Sequence, residues 1–73
     1  MDLQASIKQT LNQYFINLDG AEAHNIYELF IAQVEKPLLS IVMQHANNNQ
    51  SKAAQWLGIS RNTLRKLLEK YGL

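Results

Sequence analysis

From Leu3 to Tyr71 the apolar residues recur every three or four positions, and that rhythm dictates what the chain can fold into: helices with one apolar face, packed on one another. Leu3, Ile7, Leu11, Phe15 and Leu18 form the first stripe, at spacings of 4, 4, 4 and 3. Asp19-Gly20 ends it, with Gly20 expected to take the left-handed conformation that closes a helix. After a polar loop, Asn25 is the expected N-cap of a second helix carrying Ile26, Leu29, Phe30, Val34, Leu38, Ile41 and Val42, with Met43 in the same core stripe. Pro37 interrupts this segment, because it has no N–H and crowds the preceding turn. The apolar pattern nevertheless stays in phase across the proline, which predicts one bent helix over about 25–45 rather than two. Asn47-Asn48-Asn49 predicts a turn, since asparagine side chains bond nearby backbone. A third helix begins at Asn49 or Gln50 and ends at Leu57, where Trp56 is expected to supply packing. A fourth follows Ser60 with Leu64, Leu67, Leu68 and Tyr71 on one side. No segment alternates as a strand does, and the predicted class is all-α with four helices.

The chain has 73 residues, 47% of them apolar, which excludes disorder but leaves little core to build. Below roughly 70 to 80 residues one core supplies only about 3 to 5 kcal/mol, and small domains add disulfides, metals or a second subunit. There is no cysteine, and His24 and His45 are 21 residues apart without ligand-like spacing. Oligomerisation is the supplement that remains. The longest strictly apolar run, Leu29 to Ala32, is far short of a membrane span, and the N-terminal residues do not read as a signal peptide, so a cytoplasmic location is expected.

Charge divides the chain. Residues 1–47 carry two cations against five carboxylates, net −3, whereas residues 48–73 carry five cations against Glu69 alone, net +4. An acidic scaffold joined to a basic last third points to a polyanion as partner.

That last third has the mechanics of a helix-turn-helix. Ala54 is small where two helices must cross closely, Gly58 supplies the positive φ of a tight turn, Ile59 plugs the corner, and Ser60 caps the second helix. Leu64, Leu67 and Leu68 face inward, leaving Arg61, Asn62, Arg65, Lys66 and Lys70 on the other face. Arg61 and Arg65, at i and i+4, point the same way and can enter a major groove together. The arginine fork matches guanine O6 and N7, lysines suit phosphates, and Ser51 and Lys52 begin the preceding helix, whose free N–H groups favour a phosphate.

A blander reading makes the same cations an ordinary solvated face, as it does Glu28, Glu35 and Lys36; His24 and His45 then sit at the surface or at helix ends. No nucleophile, acid–base pair or metal cluster is evident, so an enzyme, a cofactor or an RNA-binding toxin is not expected.

The YF…L-G junction, IYEL, V-E-x-PLL, the NQS-x-AA-x-x-LGI turn and the TLRK…KYG ending together resemble the Fis family, the bacterial factor-for-inversion-stimulation proteins, across nearly the whole chain. The last 35 or so residues also resemble, more weakly, the C-terminal DNA-binding module of sigma-54 activators.

The Fis resemblance implies a homodimer in which the first two helices of each subunit, residues 1–47, intertwine as a four-helix core. Leu11, Phe15, Leu29, Phe30, Val34, Leu38, Ile41 and Val42 fill that core, and residues 48–73 form the helix-turn-helix of one compact domain. It implies binding and bending of double-stranded DNA at degenerate A/T-centred sites, in nucleoid organisation and transcription, with RNA polymerase as a further partner. Paired recognition helices closer together than one turn of B-DNA require the duplex to bend, at a cost of roughly 1 to 6 kcal/mol that depends on sequence.

Carried over position by position, Asn49, Ser51 and Lys52 match phosphate contacts, Arg61 the main base-reading arginine, and Thr63, Arg65, Lys66 and Lys70 the remaining recognition-helix and flanking contacts. Ser60, where the family often has a base-touching asparagine, and Asn62, where it has glycine, are also expected among the DNA-contacting residues; Leu67 and Glu69 stand where the family commonly has lysines, so weaker flanking contact and a shallower wrap are expected. The chain starts almost at the first helix, without the mobile arm that contacts invertases, and recombinase contact is not expected. The competing function is a helical dimerisation adaptor whose basic face is incidental.

Overall fold

Every regular element in the structure, a computed structural model that describes residues 2–73, is an α-helix. Helix α1 spans Leu3–Leu18, α2 Ile26–His45, α3 Gln50–Leu57 and α4 Arg61–Tyr71, matching the all-α expectation.

Local chemistry explains most of the boundaries. The Asp2 carboxylate accepts from the Ala5 N–H at 3.3 Å and starts α1. The residue that closes α1 is Asp19, at φ 50°, one position earlier than expected; Gly20 follows at φ 86° and continues the reversal. Aspartate is among the few residues with a side chain that enter this region readily. Asn25 does not cap α2 with its side chain, because it too is left-handed, at φ 51°, whereas a capping side chain works from an extended backbone. Helix α2 runs unbroken through Pro37. Pro37 and Gln33 are both exposed, so water can solvate the Gln33 carbonyl that the missing N–H leaves free.

The asparagine turn forms as expected. Asn47 and Asn48 are left-handed at φ 54° and 62°, and the Asn48 N–H returns to the Met43 carbonyl at 2.9 Å. Between α3 and α4, Gly58 at φ 74° donates to the Gln55 carbonyl, and the Ile59 N–H reaches the Ala54 carbonyl at 3.1 Å. This is the sharp reversal that the helix-turn-helix reading required.

The core is confined to one end. Leu39 and Ala46 of the α2 end, Ala53 and Ala54 of α3, and Leu64 and Leu68 of α4 are buried, with Val42, Met43, Leu57, Ile59, Leu67 and Tyr71 packed around them. Helix α1 buries nothing. Of the eight residues expected in a dimer core, Phe15, Leu29, Val34, Leu38 and Ile41 are exposed, Leu11, Phe30 and Val42 half-buried, and none buried within the subunit. Helices α1 and α2 meet where the Tyr14 and Phe30 rings pack edge to face, 5.3 Å between centroids, and an open cleft of about 720 Å³ lies between them, lined by Ile7, Thr10, Tyr14, Leu29, Phe30 and Val34 among others. The radius of gyration is 15.1 Å, against about 11 Å for a compact chain of this length. The accessible surface is 5904 Å², against about 4600 Å² for a folded monomer of this mass.

Candidate nucleic-acid interface

Three devices present the basic face. Asn49 is extended, and its Oδ1 accepts the Lys52 N–H at 3.0 Å, which starts α3 with Ser51 and Lys52 exposed in the first turn. The Asn49 oxygen is thereby committed to the cap, leaving its amide NH₂ as the group free to donate outward. Ser60 Oγ accepts the Thr63 N–H at 3.0 Å and donates to Thr63 Oγ1 at 2.8 Å, so both hydroxyls are engaged at the start of α4. Burial of Leu64 and Leu68 then fixes the rotation of α4 about its axis and leaves Arg61, Asn62, Arg65, Lys66 and Lys70 exposed.

Within that face, Arg65 Nη2 donates to Asn62 Oδ1 at 2.7 Å. Asn62 thus meets a guanidinium one turn away on the same exposed face. Arg61 and Arg65 are about 6 Å apart along the axis of a helix whose 11 residues are about 16 Å long, dimensions that suit a major groove about 12 Å wide. All five cations of residues 48–73 are exposed.

Two residues stand where the sequence did not put them. Trp56 is 54% exposed rather than packed, and Lys52 Nζ lies 5.5 Å from the centre of its ring. Ala53, Ala54 and Leu57 occupy the inward arc of α3, and at about 100° per residue Trp56 falls roughly 100° from the middle of that arc. Glu35 is half-buried rather than on a solvated face, and its Oε1 accepts the Tyr71 hydroxyl at 2.5 Å across 36 residues. The hydrogen bond to the Glu35 carboxylate, together with burial and nearby negative charge, pushes the Tyr71 phenol up to about 12. A signal for this was present: Glu35 stands four residues before Leu39 and seven before Val42, on the same face of α2.

Among the described residues no group of three or more His, Asp or Glu is placed to hold a metal, and no helix is long and apolar enough to cross a membrane.

The model of the bacterial regulatory proteins of the Fis family matches residues 30–71, which take in most of α2 and all of α3 and α4. The chain belongs to the Fis family. Three relatives, each called DNA-binding protein Fis, come from Proteus mirabilis (strain HI4320), Proteus hauseri and Sodalis glossinidius (strain morsitans). Each is 52% identical over 71 residues, covering 97% of this chain and 72% of the relative. Fis proteins are regulators and not enzymes. Every residue singled out for DNA contact, from Asn49 to Lys70, lies within residues 30–71 that the family model matches; α1 lies outside that span but within the stretch shared with the three relatives.

Proposed function

We propose that this Fis-family chain is a homodimeric DNA-binding and DNA-bending protein, acting in the bacterial nucleoid on chromosome organisation and transcription, with degenerate A/T-centred sites read by paired helix-turn-helix units. The observation that carries this reading is the division of the molecule. Its basic helix-turn-helix has a finished core, while α1 and the first half of α2 bury no side chain fully and leave Leu3, Phe15, Ile16, Leu29 and Val34 exposed.

The uncovered area supports a second copy as the occupant. Each subunit exposes about 1300 Å² more than a folded monomer of its mass, so a two-fold pairing that covered it would bury about 2600 Å², within the range of obligate homodimers. Residues 1–47 then serve as the dimerising part and 48–73 as the DNA-binding part. Arg61, in the first turn of α4, reads a base edge; Thr63 and Arg65 support it. Ser51, Lys52, Lys66, Lys70 and the free amide of Asn49 meet phosphates. Ser60 and Asn62 act at one remove, the first by capping α4 and the second by accepting a hydrogen bond from Arg65. The name carried by the relatives, DNA-binding protein Fis, agrees with this reading.

With Lys52, Lys66 and Lys70 each neutralising one phosphate, about six in a dimer, the slope of log K against log salt is expected near −5 for duplex DNA. The test is a gel mobility assay on duplexes of equal length carrying one A/T-centred site at different distances from the end, repeated at several salt concentrations. Complexes whose mobility varies with site position, and whose affinity falls with that slope, support the reading. Absence of any complex at low salt overturns it and leaves the dimerisation adaptor.

A further inference from the structure

Besides apolar packing, two directional links attach the helix-turn-helix to α2. One is the covalent turn through Asn47 and Asn48, and the other is the Tyr71–Glu35 hydrogen bond. Between them, α4 packs on α3 and α3 on α2, and Leu39 of α2 shares one apolar cluster with Leu64 and Leu68 of α4. Apolar packing holds those surfaces together but is non-directional, whereas a hydrogen bond to a carboxylate has a preferred distance and angle. Glu35 lies about 15 Å along α2 from its C-terminal end at His45, so the two attachments are well separated. With the turn as its one directional link, the packed unit can still pivot on its apolar surface; a second link this far away leaves only rotation about the line joining the two, which the packing opposes.

Tilt matters because of leverage. Arg61 occupies the opposite end of the 11-residue α4 from Tyr71, about 15 Å away. A rotation of α4 by about 10° about its Tyr71 end moves Arg61 by about 2.6 Å, most of the rise of about 3.4 Å from one base pair to the next. In a dimer the two displacements combine, and the distance between recognition helices is the quantity a DNA site must match.

We propose that the Tyr71–Glu35 bond is the strut that sets the tilt of the recognition helix against the dimerising helix, making these two residues positioning residues for half-site spacing although neither touches DNA. This rests on the dimeric DNA-binding reading above. The raised phenol fits the role, since Tyr71 keeps the proton it donates well into the alkaline range. A strut enforces no more discrimination than breaking it costs. For one hydrogen bond to a charged group that is about a tenfold effect per subunit.

The experiment compares wild type, Tyr71→Phe, Glu35→Leu and Glu35→Gln on a series of duplexes whose half-sites are moved apart or together one base pair at a time, with a duplex lacking the site as reference. Tyr71→Phe keeps the ring in the core and removes only the donor, Glu35→Leu removes the acceptor, and Glu35→Gln retains an acceptor oxygen. The expected result is a sharp spacing optimum for wild type and Glu35→Gln. Tyr71→Phe and Glu35→Leu should show a flattened one, their preference for the best spacing reduced about tenfold where one subunit tilts and up to about a hundredfold where both do, with binding to the reference duplex unchanged. A uniform loss on all duplexes, or a spacing profile identical to wild type in both variants, overturns the strut while the DNA-binding reading stands. If wild type binds no duplex at all, the DNA-binding reading falls and takes the strut with it.

Discussion

Arg61 and Lys66 share one helix and one exposed face, yet their removal should show differently. Arg61→Ala is expected to cost about 1–3 kcal/mol of binding at a good site and to relax preference at one position of each half-site, because a planar fork against a base edge discriminates. Lys66→Ala should weaken all duplexes alike and make the salt slope shallower by about 1.8 in a dimer, two phosphates at about 0.9 each. Titrations against a site and its single-base variants at several salt concentrations separate the two; equal loss on every sequence for Arg61→Ala would remove it as a base reader. Tyr71 makes a prediction of another kind. Its phenol moves from an ordinary value of 10.0 to about 12 in the folded protein. Between those values the unfolded chain has lost the proton that the folded one still holds, so stability falls as pH rises through this window. Denaturant titrations of wild type and Tyr71→Phe should show the gap between them present below pH 10 and closing by pH 12, the two values between which the phenol shifts. Cap residues and turn residues such as Ser60 and Gly58 were legible from sequence because they act within four positions of themselves. The partnership of Glu35 with Tyr71 was not read, since it spans 36 residues and is visible only once the face shared by Glu35, Leu39 and Val42 is recognised as covered.

At the scale of elements, the reversal between α3 and α4 turns on one glycine. Gly58 holds φ 74°, and a Cβ built there meets nothing within 4 Å, so the cost of Gly58→Ala is backbone strain rather than collision. The expected destabilisation is about 1–2 kcal/mol, read as a shift in denaturant midpoint without change of slope. A loss well above that would mean the turn needs glycine for a further reason, such as close approach of DNA. Helix α2 shows the converse. Propensity alone would have ended it at Pro37, but the phase of Val34, Leu38 and Ile41 across the proline outweighed that, and the continuous helix follows the apolar pattern. Trp56 shows the opposite: aromatic chemistry favours packing, but its angular position on α3 lies outside the buried arc, and the ring is exposed.

The whole molecule is where size and architecture meet. A subunit 45 × 27 × 17 Å in extent, with its buried core at one end, has half its length unsupported by its own tertiary packing. If two copies supply the missing packing, folding and association are one event, and stability must depend on concentration. With about 0.7 kcal/mol of unfolding enthalpy per residue, a dimer of 73-residue subunits unfolds with about 100 kcal/mol, and tenfold dilution should lower Tm by about 5 °C. Calorimetry at three concentrations spanning two decades reads this directly, and a Tm independent of concentration would sink the dimer. Ile41→Asp sharpens the test: Ile41 is 52% exposed in the isolated subunit, so in a monomeric protein the change is nearly silent. In a dimer that covers Ile41 it places an unpaired carboxylate in an apolar interface, a cost of several kcal/mol in each of two subunits. Loss of the dimer boundary in sedimentation together with loss of DNA binding by a variant whose helix-turn-helix is untouched would tie site recognition to pairing, since two weak half-site contacts bind tightly only when the first two helices hold them at one fixed distance.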